Sequence, residues 1–196
     1  MKFLIIYSHP ESVGFCAHFL GEVKDNLTSK KVDFEVIDLY KINYDPILKL
    51  DELYTAGNRN VSFENQQFQQ KIKDSDGLIF IYPVWWGGMP AILKGFIDRV
   101  FIPGFAFKYR KDKFFKFIPD KFLDDKKISI FVSSGSPWFV YKIFFDPIKF
   151  FNKFFVFGVF CSNSKTYQIY GSGRLDEYKK SKIRKVTEIG IHRMLQ

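Results

Sequence analysis

The 196-residue sequence predicts an α/β fold in which a five-stranded parallel sheet, in the order 2-1-3-4-5, carries helices on both faces as a three-layer sandwich. Short apolar segments alternate along the chain with amphipathic segments of ten or more residues, which is typical of strand–helix–strand units. The apolar segments are nearly continuous, as expected for strands that are covered on both faces. No repeat or linker interrupts this alternation, so we expect a single domain over residues 1–196.

The first half of the chain supplies two strands and two helices. Residues 2–8 form a near-continuous apolar run that ends in a turn, and they predict the first buried strand. Apolar side chains at helical spacing predict a helix over 15–29, and residues 34–39 predict the second strand. The polar segment 51–64 is irregular, and we expect a loop with one helical turn there. Residues 63–74 predict the second helix.

The second half continues the alternation, with prolines marking its boundaries. Pro83 is expected to stop the third strand, Pro90 suits the first turn of a helix, and Pro147 should start or kink one. The predicted elements are a strand at 77–82, a helix at 90–101, a strand at 128–133, a helical region at 138–156, a strand at 159–169 and a charged terminal helix at 175–195.

The composition, with 46% hydrophobic and 26% charged residues, is that of a globular protein and excludes a disordered or fibrous one. The formal net charge of +9 is regional, because residues 1–98 carry 10 basic and 13 acidic side chains and residues 99–196 carry 20 and 8. Such a charge suits a solvated surface, a nucleic acid, an anionic membrane or an anionic cofactor. No nucleic-acid recognition motif is visible, so we expect no nucleic-acid partner.

The sequence offers no sign of a metal centre or of a disulfide framework. Cys16 and Cys161 are the only cysteines, they form no CxxC pair, and the three histidines are scattered. The apolar run near the first residue is too short for the core of a signal peptide. The aromatic tract 138–160 is interrupted by lysines, an aspartate and a proline, so it does not predict a membrane span. A cytoplasmic protein is therefore expected.

Ligands of such sheets bind beyond the carboxyl ends of the strands, so the loops after the first, third and fourth strands are the candidate sites. The first of these, residues 8–14, leads into a helix N-terminus and carries the side chains of Ser8, His9 and Ser12. Backbone N–H groups at a helix N-terminus bind anions, and Gly14 permits close approach of a ligand. An ordinary capped turn is the alternative interpretation.

The second and third loops suit a flat ligand. Residues 83–90 place Trp85 and Trp86 between prolines and glycines, where a planar heteroaromatic ring can stack. A hydrophobic lid or a dimer contact explains these tryptophans equally well. Residues 133–138 combine small hydroxyl residues with a glycine, which suits a polar ring edge or a phosphate, although such residues are also common in turns.

The motifs of these loops carry a resemblance to a known family. They are Ser8-His9-Pro10 with Gly14-Phe15, the run 83–95, and its continuation through 98–101 to 104–107. In these residues the chain resembles the flavodoxin-like NAD(P)H:quinone oxidoreductases, which include quinone reductases, bacterial modulators of drug activity and potassium-efflux ancillary proteins. The resemblance implies a flavodoxin-like sandwich and a homodimer that binds FMN or FAD. FMN is slightly favoured, because the long C-terminal extension of the mammalian enzymes is not seen.

The resemblance also implies roles for individual residues. It assigns flavin binding to three groups of residues: His9, Gly14, Phe15 and Cys16 for the phosphate, Pro83, Val84, Trp85 and Trp86 for the isoalloxazine, and Ser133, Ser134, Gly135 and Ser136 for the pyrimidine side. Tyr141 falls where the family has a tyrosine at the flavin N1/O2 edge, and it is the candidate catalytic residue, with packing at the dimer edge as the alternative interpretation. Phe107 and Tyr109 fall where aromatic residues of one subunit wall the partner's substrate pocket.

Three features depart from the family pattern, and the mildest is Ser-Ser-Gly-Ser at 133–136 in place of the usual Thr-Thr-Gly-Gly. Cys16 replaces the usual asparagine, and we interpret it as a small buried residue rather than a thiol activated by the helix N-terminus. The histidine that accompanies the tyrosine in mammalian members would fall near Pro147, so the sequence does not identify that proton-handling partner.

The implied activity is a ping-pong oxidoreduction. NAD(P)H would give a hydride to flavin N5 and leave, and a quinone or similar flat acceptor would then take it. The alternative is a regulatory subunit on the cytoplasmic face of a membrane transporter, with the basic half and a ridge of Phe144, Phe145, Ile148 and Phe151 as its partner surface.

Overall fold

The computed structural model describes residues 1–53, 60–109 and 118–196. Its main sheet has five parallel strands in the order β2-β1-β3-β6-β7, which confirms the predicted order 2-1-3-4-5. The strands are β1 (Lys2–Tyr7), β2 (Asp33–Asp38), β3 (Gly77–Val84), β6 (Lys127–Ser134) and β7 (Ser164–Tyr170). A separate two-stranded pair, β4 (Phe107–Lys108) with β5 (Asp120–Lys121), was not predicted from the sequence.

Helices cover both faces of this sheet. They are α1 (Phe15–Ser29), α2 (Phe63–Lys73), α3 (Ala91–Val100), α4 (Trp138–Ile143), α5 (Pro147–Phe151) and α6 (Glu177–Leu195). Along β1, Phe3 and Ile5 pack with α1 and α6, whereas Leu4 and Ile6 point to the opposite cluster, which contains α2 and α3. The pleat therefore divides the core into two apolar layers, one on each side of the sheet.

The third strand runs further than predicted, because β3 continues through Pro83 to Val84. Pairing with β1 ends at Ile81, whose carbonyl accepts the N–H of Ser8 at 3.0 Å. The backbone of Pro83 faces this same side, where no strand follows, so its missing N–H leaves no ladder bond unmade. Pro83 pairs in register with Ser133 of β6.

The fifth strand is shorter than predicted, because β7 begins at Ser164 rather than at residue 159. Residues Phe157–Val159 form a 3-10 turn, and Phe160 and Cys161 are buried in the core next to it. The apolar run that predicted a strand start therefore belongs to a buried turn. The helical region predicted over 138–156 is likewise divided, with Pro147 at the start of α5 as expected.

Candidate functional site

The structure brings the three predicted loops together at the carboxyl edge of the sheet. The rings of His9 and Trp85 lie with their centroids 6.0 Å apart, which joins the first loop to the second. The Sγ atom of Cys16 lies 3.6 Å from Oγ of Ser133, which joins the first helix to the third loop. Pro83 and Ser133 are partners in neighbouring strands. The resulting site lies where strand order reverses around β1 and β3, as expected for this class of sheet.

The first loop ends in an uncapped helix N-terminus. Gly14 precedes α1 with φ 92°, a left-handed conformation that favours glycine, and no side chain caps the helix. The first turn of α1 contains no acidic residue, and no atom lies within 4 Å of the place that a Cβ on Gly14 would occupy. The N–H groups of this turn, including those of Phe15 and Cys16, are therefore open to an anion.

Two polar side chains of the first loop lie beside this turn. Nδ1 of His9 lies 3.1 Å from the backbone nitrogen of Glu11 and 3.3 Å from its carbonyl oxygen, so the backbone of Glu11 holds the ring through Nδ1. The Oγ atom of Ser8 is buried and has no hydrogen-bond partner among the described residues. A buried hydroxyl without a partner is costly, and a bound polar ligand would relieve that cost.

The second loop is a tight turn that presents a tryptophan to solvent. Trp85 and Gly88 exchange two backbone hydrogen bonds of 2.9 and 3.0 Å, and the residues between them, Trp86 and Gly87, have φ values of 51° and 75°. Two positive φ values define a type I′ turn, in which asparagine and glycine are preferred. Trp86 is fully exposed, so no packing of its side chain offsets the conformational strain of its backbone.

The third loop provides two buried hydroxyl groups followed by two exposed residues. Ser133 and Ser134 end β6 and are both buried, whereas Gly135 and Ser136 are exposed. Oγ of Ser134 donates to the carbonyl of Ile169 at 3.4 Å. The exposed residues of the loop therefore follow directly after a strand end that is held by this hydrogen bond.

Tyr141 is attached to a polar cluster that the sequence did not reveal. Its ring lies 5.3 Å from that of Tyr170, and its carbonyl accepts the N–H of Asp146 at 2.7 Å. Oδ2 of Asp146 accepts hydrogen bonds from Tyr170 at 2.5 Å and from Lys149 at 2.6 Å, and Nζ of Lys149 lies 2.8 Å from the Tyr170 hydroxyl. The cluster forms because β7 and α5 meet in the folded chain, and the spacing of these residues in the sequence does not indicate that contact.

The backbone beside this cluster is strained. Phe145 and Asp146 are consecutive non-glycine residues with φ values of 56° and 51°. Such conformations persist only where surrounding contacts hold them, and they are frequent at functional sites. Burial acts to lower the pKa of Lys149, but its hydrogen bonds to Asp146 and Tyr170 outweigh burial and raise that pKa. Lys149 therefore remains positively charged next to Tyr170.

Cys16 is a buried thiol with little acidity. Its side chain is 1% exposed, and burial raises its pKa to about 12, although the hydrogen bond with Ser133 acts in the opposite direction. A thiol in this state is not a nucleophile at neutral pH. The position agrees with the interpretation of Cys16 as a small packing residue.

Phe107 and Tyr109 lie away from the three loops. Their rings are 5.2 Å apart and T-shaped, and they line a groove of about 400 Å³ together with Phe101, Phe155 and Phe160. None of the loop residues lines this groove, so within one chain the two aromatic residues do not join the site.

The part of the chain that the structure describes has neither a metal-binding cluster nor a membrane-spanning helix. Residues 1–53, 60–109 and 118–196 contain no group of three or more His, Cys, Asp or Glu side chains placed to hold a metal ion. In the same ranges, no helix combines the length and the apolar character that a membrane crossing requires.

Comparison with protein families places the chain among known sequences. Residues 1–156 match a family model described as having a flavodoxin-like fold. An uncharacterised NAD(P)H oxidoreductase of Haemophilus influenzae is 35% identical over 145 residues, which cover 74% of this chain and 69% of that protein. Human ribosyldihydronicotinamide dehydrogenase [quinone] is 32% identical over 123 residues, which cover 54% of this chain and 53% of that protein. The chain thus spans only about half the length of some curated relatives.

Solved structures show the same architecture over nearly the whole chain. The crystal structure of Smu.1420 from Streptococcus mutans has a TM-score of 0.80 and 30% identity, and it covers 96% of this chain and 100% of that one. An FMN-dependent NADH-azoreductase from Bacillus anthracis, solved in complex with FMN, has a TM-score of 0.67 and 18% identity. That match covers 100% of this chain and 99% of the azoreductase, and at this identity it shows the fold alone.

Proposed function

Because the chain belongs to the flavodoxin-like NAD(P)H oxidoreductase family, we propose that it is a flavin-dependent enzyme that oxidises NAD(P)H and reduces a quinone or another flat acceptor. The single observation that carries this proposal is the meeting of an uncapped helix N-terminus with an exposed, strained tryptophan turn at one edge of the sheet. A phosphate suits the first feature and a planar ring suits the second. One ligand that contains both groups is a flavin nucleotide.

The residues present fit such a cofactor. The turn at Gly14 leaves space and free N–H groups for a phosphate, and His9 would add a donor in the tautomer that is protonated at Nε2. Trp85 and Trp86, which are 40% and fully exposed, offer aromatic surface to a ring system. The unpartnered Oγ of Ser8 provides a further polar contact. We propose FMN first and FAD second.

A bound flavin would supply the redox chemistry, which is hydride transfer from NAD(P)H to the acceptor in two alternating half-reactions. The chain's own residues bind and orient the reactants. The loop N–H groups and His9 hold a phosphate, and the Trp85–Trp86 turn sets the plane of a ring. Tyr141, fixed by Asp146 and Tyr170, would donate a hydrogen bond where negative charge develops on the pyrimidine side.

A homodimer is the assembly that the surface supports. Ile148 of the predicted ridge is buried, whereas Phe144, Phe145 and Phe151 are exposed. They belong to an aromatic surface, and its exposed members are Trp138, Phe139, Phe144, Phe145, Phe150, Phe151, Phe154 and Phe155. This number of exposed aromatic side chains in one segment is typical of an interface in soluble proteins. A second copy packed there would bring its Phe107 and Tyr109 toward the neighbouring site.

The proposed function is tested by identifying the cofactor and then measuring turnover. We expect purified protein to be yellow or to become yellow with added FMN, and chromatography after denaturation to identify the flavin. The flavoprotein should oxidise NADH or NADPH with menadione as acceptor, giving parallel double-reciprocal plots. Protein that binds neither FMN nor FAD would contradict the proposal.

The second candidate function, a regulatory subunit on a membrane transporter, is favoured by the same aromatic surface. Light scattering distinguishes the two, because a dimer of twice 23.1 kDa supports self-association. A monomer that binds flavin yet shows no turnover would favour the regulatory subunit.

A further inference from the structure

A second cleft lies on the far side of the sheet edge. It has a volume of about 450 Å³, within the range of small-molecule sites. One wall is the outer strand β7, at Gln168, Ile169 and Tyr170, and the opposite wall is α6. Trp138, the first residue of α4, closes one end. Because Trp138 follows the third loop directly, the cleft adjoins the candidate flavin site without sharing its phosphate-binding turn.

The α6 wall is strongly basic. Lys179, Lys182 and Lys185 line the cleft together with Tyr178, since residues three and four apart share one helix face. Among the described residues, none of these three lysines is paired with a carboxylate, and no acidic residue lines the cleft. By contrast, Lys180 on the same helix pairs with Glu177 at 2.7 Å. Nζ of Lys179 donates to the carbonyls of Gly171 at 2.6 Å and Arg174 at 2.9 Å, so Lys182 and Lys185 are the two cations left to attract an anion at this concave surface.

The remaining lining suits an aromatic base. Trp138 is 59% exposed and Tyr178 is 66% exposed, so both rings present open faces at the cleft. Nζ of Lys182 lies 4.4 Å from the centre of the Tyr178 ring, which keeps charge and ring side by side. Base stacking on such rings with phosphate near lysine is a common way to hold a nucleotide.

We propose that this cleft binds the phosphorylated adenosine of an adenine nucleotide, with its phosphate at Lys182 and Lys185 and its base against the rings of Trp138 and Tyr178. The source most consistent with the neighbouring site is NADPH, whose adenosine carries a 2′-phosphate. That identification rests on the proposed oxidoreductase function, whereas the nucleotide site itself does not. The cleft would then favour NADPH over NADH.

The test measures binding of 2′,5′-ADP to the whole protein by isothermal titration calorimetry, with and without flavin. We expect a dissociation constant that rises about tenfold for each of Lys182→Met and Lys185→Met, since each lysine supplies a charged partner to the phosphate. Lys180→Met is the matched control, because it removes the same charge from the same helix outside the cleft lining. Its binding should equal that of the wild type.

Several outcomes separate the possibilities. Tighter binding of 2′,5′-ADP than of 5′-AMP identifies NADPH as the source, and equal binding identifies a free adenine nucleotide. The lysine variants should also raise KM for NADPH and leave KM for NADH unchanged. No binding of 2′,5′-ADP, or equal loss in the Lys180→Met control, would overturn the site. Because calorimetry needs no turnover, that result is distinct from a failure of the proposed enzyme activity.

Discussion

The hydroxyl of Tyr170 donates to Oδ2 of Asp146 at 2.5 Å, and this contact fixes the end of β7 to the left-handed turn between α4 and α5. The same aspartate holds the backbone of Tyr141 through a hydrogen bond of 2.7 Å. Tyr170 lies 24 positions after Asp146 and 29 positions after Tyr141 along the chain. The fold, rather than the local sequence, therefore positions the candidate catalytic tyrosine. Tyr170, Asp146 and Lys149 act on the site through Tyr141.

Replacing Tyr170 by Phe should lower kcat while leaving the aromatic contact with Tyr141 in place. The variant removes one hydrogen bond to a charged group, which costs about 1.5–3 kcal/mol of stability, and it frees the Asp146 turn. We expect kcat to fall by up to about 100-fold, because small displacements of a positioned group are costly in rate. KM for NAD(P)H should change little.

Stopped-flow kinetics of the two half-reactions check this expectation. Tyr141→Phe gives the reference for complete loss of the hydroxyl at the site. If Tyr170→Phe retains the wild-type rate after correction for folded fraction, the cluster supports the fold alone.

Replacing Trp86 by Asn should weaken flavin binding without loss of stability. The fully exposed side chain packs against nothing, and asparagine suits the left-handed position in a type I′ turn. We expect the free energy of unfolding to stay equal or rise by up to about 1 kcal/mol. Urea unfolding and flavin titration measure the two effects, and Phe63→Asn, another exposed aromatic residue, serves as the control for flavin binding. Equal losses of stability and affinity would indicate a structural lid.

Replacing Arg99 by Met should strongly destabilise the fold. The Arg99 side chain is 3% exposed and donates to both carboxylate oxygens of Glu52, at 2.8 and 2.7 Å. Without its cation, the 7% exposed Glu52 carboxylate remains buried, and such a loss costs about 3–5 kcal/mol. Urea unfolding measures the change. Lys94→Met, which breaks the exposed pair with Asp98, should cost far less.

The same ion pair predicts a pH dependence. Burial acts to raise the pKa of Glu52, but hydrogen bonds from Arg99 outweigh it, and the pKa lies below its usual value. The stabilisation is therefore complete above the unfolded-state pKa and is lost as pH falls through the folded-state value. We expect Glu52→Gln to flatten the loss of stability on acidification. If the loss of stability at low pH is the same in Glu52→Gln as in the wild type, other carboxylates determine that loss.

Both cysteines should resist alkylation in the native protein. Burial raises the pKa of Cys16 to about 12 and that of Cys161 to about 11, so both thiols are protonated at pH 8. We expect iodoacetamide to label neither within minutes, and both to react in guanidinium chloride. Mass spectrometry counts the adducts. Rapid native labelling at Cys16 would contradict its burial beside Ser133.

The parts of the fold with local signals were predictable from the sequence. Continuous apolar runs gave the central strands, because burial on both faces imposes that pattern. The ends of β3 and β7 were predicted incorrectly, because a proline or an apolar run is compatible with more than one local structure. Pro83 was predicted to end the strand because it lacks an N–H. Its backbone faces the side of β3 where β1 has already ended, so no hydrogen bond of the sheet is lost there. The apolar residues near Phe157 and Phe160 pack as a buried turn rather than a strand.

The candidate site was predictable loop by loop, but its connections were not. His9, Trp85 and Ser133 belong to motifs, and strand order alone brings those motifs together. Lys149 and Tyr170 have no such signal, because their contact depends on how α5 lies against the outer strand. The same limitation applies to the cleft along β7, which exists only once α6 is placed.

The position of β7 has a consequence for behaviour in solution. As the outermost strand it pairs only with β6, so its free side is open to strand addition and aggregation. Lys182 and Lys185 of α6 stand along this open side, and their mutual repulsion discourages another chain from pairing there. Neutralising them, by mutation or by a tightly bound polyanion, should make the protein less soluble even where its folded stability is unchanged.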